Sequence, residues 1–300
     1  MTDTLLLAFD DEAALADELA AAMDVQLHFI KRHRFPDGEL RLVLPARLPP
    51  RVVLLRGLHQ PNEKLVELMI AAPTARELGA QHLTLVSPYL AYMRQDMEFT
   101  PGEAVSQRHI GKLLAQYFDA VITIDPHLHR IQSLDEVLPG RRGSSLSAAP
   151  LLGAWVARHV PDALLIGPDE ESAQWVHEAA AAHGLESAIG RKVRHGDHQV
   201  TLALPEVPVQ GRAVVLLDDM ASTGRTLMGS AEALLTRGAA SVDVAVTHAL
   251  FVGEAYAQLQ AAGVRHVWST NAVPHASNVI SIVPLLAAAL KTSQRGVIAD

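Results

Sequence analysis

Short apolar runs alternate with longer segments of helical periodicity along most of the chain. The apolar runs predict strands at 51–55, 82–86, 120–124, 163–166, 213–217, 242–247, 267–269 and 279–283. The segments between them predict helices at 63–78, 105–117, 150–159, 172–183, 227–237 and 254–262. Regular strand–helix alternation indicates an α/β fold, with mainly parallel sheets covered by helices.

Two regions depart from this pattern. Segments 26–31 and 40–43, with the turn Pro36-Asp37-Gly38 between them, predict a small antiparallel element. The polar, turn-rich stretch 139–145 is the best candidate for a domain boundary. Both halves place a strand before a proline-containing turn and a later strand before acids. We therefore expect two similar domains, residues 1–143 and 144–300.

Composition narrows the class of protein. With 49% hydrophobic residues, 300 residues can bury a sizeable core, and a net charge of −8 argues against a general nucleic-acid or anionic-membrane binder. The absence of cysteine excludes disulfides, thiol nucleophiles and thiolate metal sites. The acidic start is unlike a secretory signal, and no apolar run approaches the roughly 20 residues of a membrane helix. We expect a cytoplasmic protein with no membrane partner.

The segment V-V-L-L-D-D-M-A-S-T-G-R-T-L, from Val214 to Leu227, is the most informative for function. A buried strand is expected to end at two acids, Asp218 and Asp219, and to be followed by a small-residue loop and a helix start. Backbone N–H groups and the helix dipole at such a loop favour phosphate. Acids beside a phosphate site suggest sugar hydroxyls or a Mg²⁺-bound ligand, whereas the alternative is an ordinary polar turn.

Three segments of the first half also carry candidate chemistry. The turn around Phe35, Asp37 and Glu39 offers an aromatic ring and carboxylates that could contact a base, or it is a surface turn. Arg94 follows a predicted strand and suits a phosphate or nucleobase, unless its loop is simply solvated. His127 stands at another strand end and could bind a metal or a phosphate, whereas we take His129 as a surface residue.

The second half contributes two further segments. Asp169 lies in a strand-to-helix turn, where it could bind a sugar hydroxyl or a cation. Lys192 and Arg194 belong to a basic cluster in an otherwise acidic chain. Such a cluster suits a flap that closes on a polyphosphate, and the alternative is a solvated hairpin tip.

Taken in order, these segments resemble the ribose-phosphate pyrophosphokinase family. The matching pieces are F-P-D-G-E, P-Y-x-x-Y-x-R-Q-D, D-x-H, P-D, K-x-R, D-D-M-x-S-T-G-x-T, T-H-x-L-F and T-N-x-x-P, and they run over nearly the whole chain. The D-D loop is shared with type I phosphoribosyltransferases, whereas the first two pieces and K-x-R are more specific. The resemblance implies two type I phosphoribosyltransferase-like domains. It also implies transfer of the β,γ-diphosphoryl group of ATP to the 1-hydroxyl of ribose 5-phosphate, with Mg²⁺.

The resemblance further implies residue roles. The ATP-binding residues would be Phe35, Asp37, Glu39, Arg94, Gln95 and Asp96, the first three acting across a subunit boundary of a homodimer or larger homo-oligomer. The catalytic residues would be Lys192, Arg194 and His127, and the metal contacts His127 and Asp169. The ribose-5-phosphate-binding residues would be Asp218, Asp219, Ser222, Thr223, Gly224 and Thr226.

The chain departs from the family pattern in three places. Glu170-Glu171 stand where the family usually has small residues after P-D, which affects the charge of the diphosphate site. The segment 97–100 replaces a basic stretch linked to regulation by ADP and phosphate, so we expect that regulation to be weakened or absent. Pro126 replaces a leucine. Two alternatives are a type I phosphoribosyltransferase and a non-catalytic regulatory homologue, and the intact Lys192 and Arg194 argue against the latter.

Overall fold

The computed structural model describes residues 4–128, 130–131, 133–195, 199–203 and 205–296. The chain divides into two compact units. The first contains the described residues up to Leu146 together with those from Ile282 onward, and the second is Ser147–Ser281. Each unit is built on a parallel sheet of six strands.

The first unit has eight strands in the described residues. They are β1 (Thr4–Ala8), β2 (Gln26–Phe29), β3 (Lys31–Arg34), β4 (Leu40–Val43), β5 (Arg51–Leu55), β6 (His82–Ser87), β7 (Ala120–Ile124) and β8 (Arg142–Leu146). The helices that lie between these strands are α1 (Ala13–Met23), α2 (Pro61–Glu77) and α3 (Ser106–Tyr117), with short 3-10 helices at Asp10–Glu12 and Leu134–Val137. The sheet has the order β2-β1-β5-β6-β7-β8, and β3 and β4 form a separate antiparallel hairpin.

The second unit repeats this plan. Its strands are β9 (Leu164–Gly167), β10 (Glu186–Ile189), β11 (Arg191–His195), β12 (Gln199–Ala203), β13 (Ala213–Ala221), β14 (Ser241–Ala249), β15 (Val264–Thr270) and β16 (Asn278–Ile280). Its helices are α4 (Ala149–His159), α5 (Ala173–Ala181), α6 (Arg225–Thr236) and α7 (Ala255–Ala261), with a 3-10 helix at Glu170–Ser172. The sheet order is β10-β9-β13-β14-β15-β16, and β11 pairs with β12 as a hairpin.

Alternate residues of the central strands enter two hydrophobic layers, one on each face of the sheet. In β13, Val215 and Leu217 belong to one layer, whereas Val214 and Leu216 belong to the other. Strands that are buried on both faces read as continuous apolar runs, which is why the sequence pattern predicts them well. The α/β class is confirmed by the two parallel sheets.

The start of the chain differs from the prediction of one small antiparallel element. Thr4–Ala8 is a fully buried strand, and Gln26–Phe29 pairs with it in parallel. Among the described strands of the first unit, only β3 and β4 form an antiparallel pair. A short apolar run next to an alanine-rich helix does not show the alternation that marks a half-buried strand, so β1 and α1 were not anticipated.

The predicted boundary at 143/144 also differs from the observed division. Arg142–Leu146 is an edge strand that pairs with β7, so the first unit continues to Leu146. A division at 143/144 would place the last helix, α8 (Val283–Gly296), in the second unit. In the structure this helix belongs to the first unit. It packs against α1, and Lys291 Nζ donates a hydrogen bond to Ala22 O at 2.9 Å. None of the helices in the described part of the chain combines the length and the hydropathy of a membrane span.

Candidate active site

The two adjacent acids of the second unit lie near the carboxyl end of β13. We expected the strand to end before them, but its pairing with β14 continues as far as Ala221. Asp219 is 3% exposed, and its backbone N–H donates to Oδ1 of the partly buried Asp218 at 2.9 Å. The pair therefore stays at the edge of the sheet where open α/β folds bind ligands.

Three carboxyl groups of the second unit influence one another electrostatically. Burial raises the pKa of Asp218 well above its usual range, and the carboxylates of Asp219 and Asp169 raise it further. Positive charge or hydrogen-bond donors beside Asp218 would favour its ionised form. Sugar hydroxyls supply donors, and carboxylate oxygen is a preferred ligand of Mg²⁺. The acid cluster therefore fits a hydroxyl-rich or Mg²⁺-bound ligand.

Asp169 begins the 3-10 helix Glu170–Ser172. Its Oδ1 accepts the N–H of Glu171 at 3.0 Å, and its carbonyl accepts the Ser172 hydroxyl at 2.6 Å. Asp169 is 6% exposed, whereas Glu170 and Glu171 are exposed. The Glu170 carboxylate lies 3.9 Å from the Arg191 guanidinium. The two glutamates that break the family pattern therefore face solvent, unlike the buried Asp169.

The loop after β13 leads directly into α6. Gly224 caps the helix in the left-handed region, with φ of 69°, and a Cβ there would meet Leu259 at 3.4 Å. As a glycine, the cap residue itself makes no side-chain hydrogen bond to the helix terminus. The N–H groups of Leu250, Phe251 and Val252 fix the loop through the carbonyls of Ala221 and Ser222, at 2.9–3.1 Å. The amides of the first turn are therefore available to an anion.

The loop side chains predicted to bind the 5-phosphate are accessible to different degrees. Thr223 is exposed, Ser222 and Thr226 are partly buried, and Gly224 is buried. This arrangement brings hydroxyls and backbone amides together within one strand–loop–helix segment. Their contact with a phosphate stays a prediction.

The basic segment of the second unit forms the hairpin β11–β12. Lys192 is paired with Leu202 and Arg194 with Val200 in its ladder. The side chains of Lys192 and Arg194 lie outside the described part of the structure, as does His129. A hairpin is compatible both with a flap and with a solvated hairpin tip, and the catalytic role of its cations stays a prediction.

In the first unit, the predicted adenine-binding residues occupy the β3–β4 hairpin. Phe35 N–H donates to Glu39 O at 2.8 Å, and Glu39 N–H donates to Asp37 Oδ1 at 3.2 Å. The Phe35 ring stands edge-on to His33 with 4.9 Å between ring centroids, and Phe35 remains 38% exposed. The turn is thus well ordered by hydrogen bonds and presents an aromatic ring to solvent.

The segment Arg94-Gln95-Asp96 follows β6. Arg94 is exposed, Asp96 lies 3.5 Å from the Arg130 guanidinium, and Gln95 Nε2 donates to Met97 O at 3.0 Å and to Glu103 at 3.2 Å. The exposed Arg94 is free to stack on or donate to a ligand.

The predicted metal contacts belong to different units. His127 is partly buried in the first unit and follows β7, whereas Asp169 belongs to the second. Within the described ranges, no three His, Asp or Glu side chains are placed to form a metal site. Mg²⁺ in nucleotide enzymes is commonly held by one or two carboxylates together with phosphates and waters. The metal roles stay predictions.

Sequence reasoning missed a buried charge cluster in the first unit. Arg56 is 0% exposed, and it lies among the buried Glu12, Lys64 and Glu67. The available signal was in the sequence: Arg56 directly follows the apolar run 51–55, as Asp218 follows the run 213–217.

Comparison with known proteins assigns the chain to a family. Residues 4–117 match the N-terminal domain of ribose phosphate pyrophosphokinase, and residues 202–291 match the phosphoribosyl synthetase-associated domain. A ribose-phosphate pyrophosphokinase of Methanopyrus kandleri is 35% identical over 290 residues, covering 96% of this chain and 98% of that protein. One from Halobacterium salinarum is 30% identical over 287 residues, covering 95% and 100%.

A solved structure shares the fold. The phosphoribosylpyrophosphate synthetase of Mycobacterium smegmatis superposes with a TM-score of 0.84 at 24% identity, covering 98% of this chain and 99% of that one. The sequence matches, which extend over nearly the full length of both proteins, carry the assignment. The chain belongs to the ribose-phosphate pyrophosphokinase family.

Proposed function

We propose that this chain is a ribose-phosphate diphosphokinase, which transfers the β,γ-diphosphoryl group of ATP to the 1-hydroxyl of ribose 5-phosphate. The observation that carries the proposal is the segment from Asp218 to Thr226. It combines the buried Asp219 and the partly buried Asp218 with a helix start capped by glycine, in a chain whose full-length relatives are named for this reaction. A phosphorylated sugar offers an anion to the helix start and hydroxyl donors to the acids.

The ribose 5-phosphate would bind along this segment. Its phosphate accepts hydrogen bonds from the first-turn amides of α6 and from the hydroxyls of Ser222, Thr223 and Thr226. Its ring hydroxyls donate to Asp218 and Asp219. These contacts orient the 1-hydroxyl for attack, which is the positioning part of catalysis.

In the reaction, the 1-hydroxyl oxygen forms a bond to the β-phosphorus of ATP. The bond from that phosphorus to the α,β-bridging oxygen breaks, AMP leaves, and the hydroxyl proton is released. Charge accumulates on the transferred diphosphoryl group, so cations that approach it lower the barrier. Lys192 and Arg194 on β11 would supply such cations, and His127 a further contact.

Mg²⁺ would be held by Asp169 together with phosphate oxygens and waters, with His127 as a further contact. The raised pKa of Asp218 supports a cation near these acids, because positive charge would favour the ionised form of Asp218. When bound, Mg²⁺ neutralises phosphate charge and orients the diphosphoryl group. Glu170 and Glu171 would remain in solvent and outside this set.

ATP would be bound by Arg94, Gln95 and Asp96 and by the β3–β4 hairpin with Phe35, Asp37 and Glu39. Residues 31–39 are all exposed in the single chain. Such a hairpin suits an adenine site that a second copy completes, so we propose a homodimer or larger homo-oligomer. Light scattering checks this: a monomer with full activity would contradict it.

A product assay by mass tests the function. ATP, ribose 5-phosphate and Mg²⁺ should yield AMP and phosphoribosyl pyrophosphate in equal amounts. Omission of the sugar, its replacement by ribose 1-phosphate, and chelation of Mg²⁺ are the controls. Absence of AMP formation by the wild-type protein would reject the proposal. A regulatory homologue would instead show no turnover but would associate with an active enzyme.

A further inference from the structure

The two units carry equivalent hairpins at equivalent places. In the first unit, β3 starts two residues after the end of β2, with Ile30 between them, and in the second unit Gly190 separates β10 from β11. Counting from the hairpin starts, Arg32 holds the position of Lys192, and Arg34 that of Arg194. The proposed catalytic hairpin therefore has a counterpart in the first unit, and this counterpart presents Phe35, Asp37 and Glu39.

The sheet edge below the first hairpin carries an arginine where the second unit has an acid. Arg56 is the sixth residue from the start of β5, as Asp218 is from the start of β13. Arg56 is fully buried, and its guanidinium lies 2.7 Å from Asp11 and in direct contact with Glu67. In the first unit, internal charge pairs thus occupy the place where the second unit offers its acids to a ligand.

Glu67 connects this buried arginine to the hairpin. Its Oε2 contacts the guanidinium of Arg56, and its Oε1 accepts from Arg32 Nη1 at 2.6 Å. Arg32 Nη2 also donates to Asp10 Oδ1 at 3.0 Å. Phe9 lies under both guanidinium groups, 4.4 Å from that of Arg56 and 5.8 Å from that of Arg32. We refer to Arg32, Glu67 and Arg56 as the triad.

The burial of the triad suits it to fix the β3–β4 hairpin against the body of the first unit. The Glu67 side chain is 1% exposed, and the Arg32 side chain is 28% exposed. Within the hairpin, Arg32 is paired with the partly buried Leu42, so the two point toward the body of the unit together. The Arg32–Glu67 pair joins β3 to α2. By contrast, the Arg34–Glu63 pair, which joins the same strand to the same helix, is exposed at both partners. The carboxylate that Arg32 contacts is buried and also contacts the buried Arg56, and such a linked pair fixes geometry more strongly than a pair exposed at both partners.

We infer that Glu67 and Arg32 are positioning residues, which fix the β3–β4 hairpin to the first unit so that its tip presents Phe35, Asp37 and Glu39 to the nucleotide in one geometry. The inference rests on the proposed function, because it assigns these tip residues to ATP. It distinguishes the two equivalent hairpins: the first is held by buried charges, whereas the second carries its cations at the same positions for catalysis. The triad therefore acts on ATP affinity without touching ATP.

The test uses Arg32→Met in the full-length protein. Methionine keeps the apolar stem and leaves the Arg56–Glu67 pair intact, so folding is preserved. We expect the KM for ATP to rise about tenfold, with kcat and the KM for ribose 5-phosphate changed less than about twofold. Hydrogen exchange of the amides of Phe35 and Gly38, both bonded within the turn, should become about tenfold faster. Arg32→Lys should restore part of both.

Glu63→Gln is the matched control. It removes the exposed ion pair between the same hairpin and the same helix, and it should change neither readout. Equal effects from Glu63→Gln and Arg32→Met, or unchanged exchange and ATP affinity in Arg32→Met, would overturn the inference. If the wild-type protein shows no diphosphokinase activity, the proposed function fails separately. Hydrogen exchange and calorimetric ATP affinity then decide the role of the triad alone.

Discussion

The buried carboxyl group of Glu12 should make the stability of the protein depend on pH in a defined direction. Burial raises its pKa to about 7, although the Arg56 guanidinium and the Gly57 N–H favour the ionised form, as does Lys64, while Asp11 disfavours it. One carboxyl oxygen accepts the Gly57 N–H, whereas Oε2 accepts no hydrogen bond from the described residues and lies 3.5 Å from Arg56 Nη1.

The direction follows from the two pKa values. In the unfolded chain the carboxyl titrates near 4.5, and in the folded protein near 7. Below the lower value both states are protonated, and between the two values only the folded state keeps the proton. The stability that the neutral carboxyl contributes is therefore present at low pH and is lost as the pH rises through about 7. From pH 5 to pH 8 the loss is about 2–3 kcal/mol.

The perturbation is Glu12→Gln, which keeps the shape and cannot ionise. The free energy of unfolding of this variant, minus that of the wild type, should increase by about 2–3 kcal/mol from pH 5 to pH 8. Urea unfolding followed by circular dichroism at constant ionic strength and protein concentration measures it. Asp17→Asn, at an exposed acid of α1, is the control. A difference between Glu12→Gln and wild type that stays constant or falls with pH would refute the reasoning.

Two further predictions concern the second unit. Lys192→Ala should lower kcat by orders of magnitude with little change in melting temperature. The reason is that the proposed role of this cation on the hairpin concerns the transferred group and not the core. Unchanged turnover would remove Lys192 from the mechanism. Asp218→Asn combined with Asp219→Asn should weaken ribose 5-phosphate binding in calorimetry without lowering the melting temperature, because burial and the neighbouring carboxyl groups disfavour the charge on Asp218. Wild-type affinity would show that these acids are structural.

The central strands could be predicted because they are apolar on both faces. The runs 51–55 and 120–124 coincide with β5 and β7, and the helix at 105–117 differs from α3 by one residue. The apolar composition of such segments is enough to predict that they are buried. The acids of β13 could also be placed at the carboxyl edge, although not inside the strand, because Asp disfavours strands in general and only the pairing with β14 keeps it there.

Other features depend on contacts between distant parts of the chain. Arg142–Leu146 contains glycine, serine and arginine, and it is a strand only because β7 offers its edge. The membership of α8 in the first unit depends on α1, more than 250 residues earlier in the chain. The burial of Arg56 depends on Glu67, which lies on another element. Local patterns contain no information on such partners.

The return of α8 to the first unit makes the second unit a nested domain, inserted between Leu146 and Ile282. Domains generally fold as units while the chain is synthesised from its N-terminus. The inserted unit is complete once Ser281 has left the ribosome, whereas the surrounding unit lacks its last helix until α8 has followed. Until then the face of α1 that packs against α8 is uncovered. The first unit is therefore the first to begin synthesis and the last to be completed. The enclosed second unit can finish folding before it.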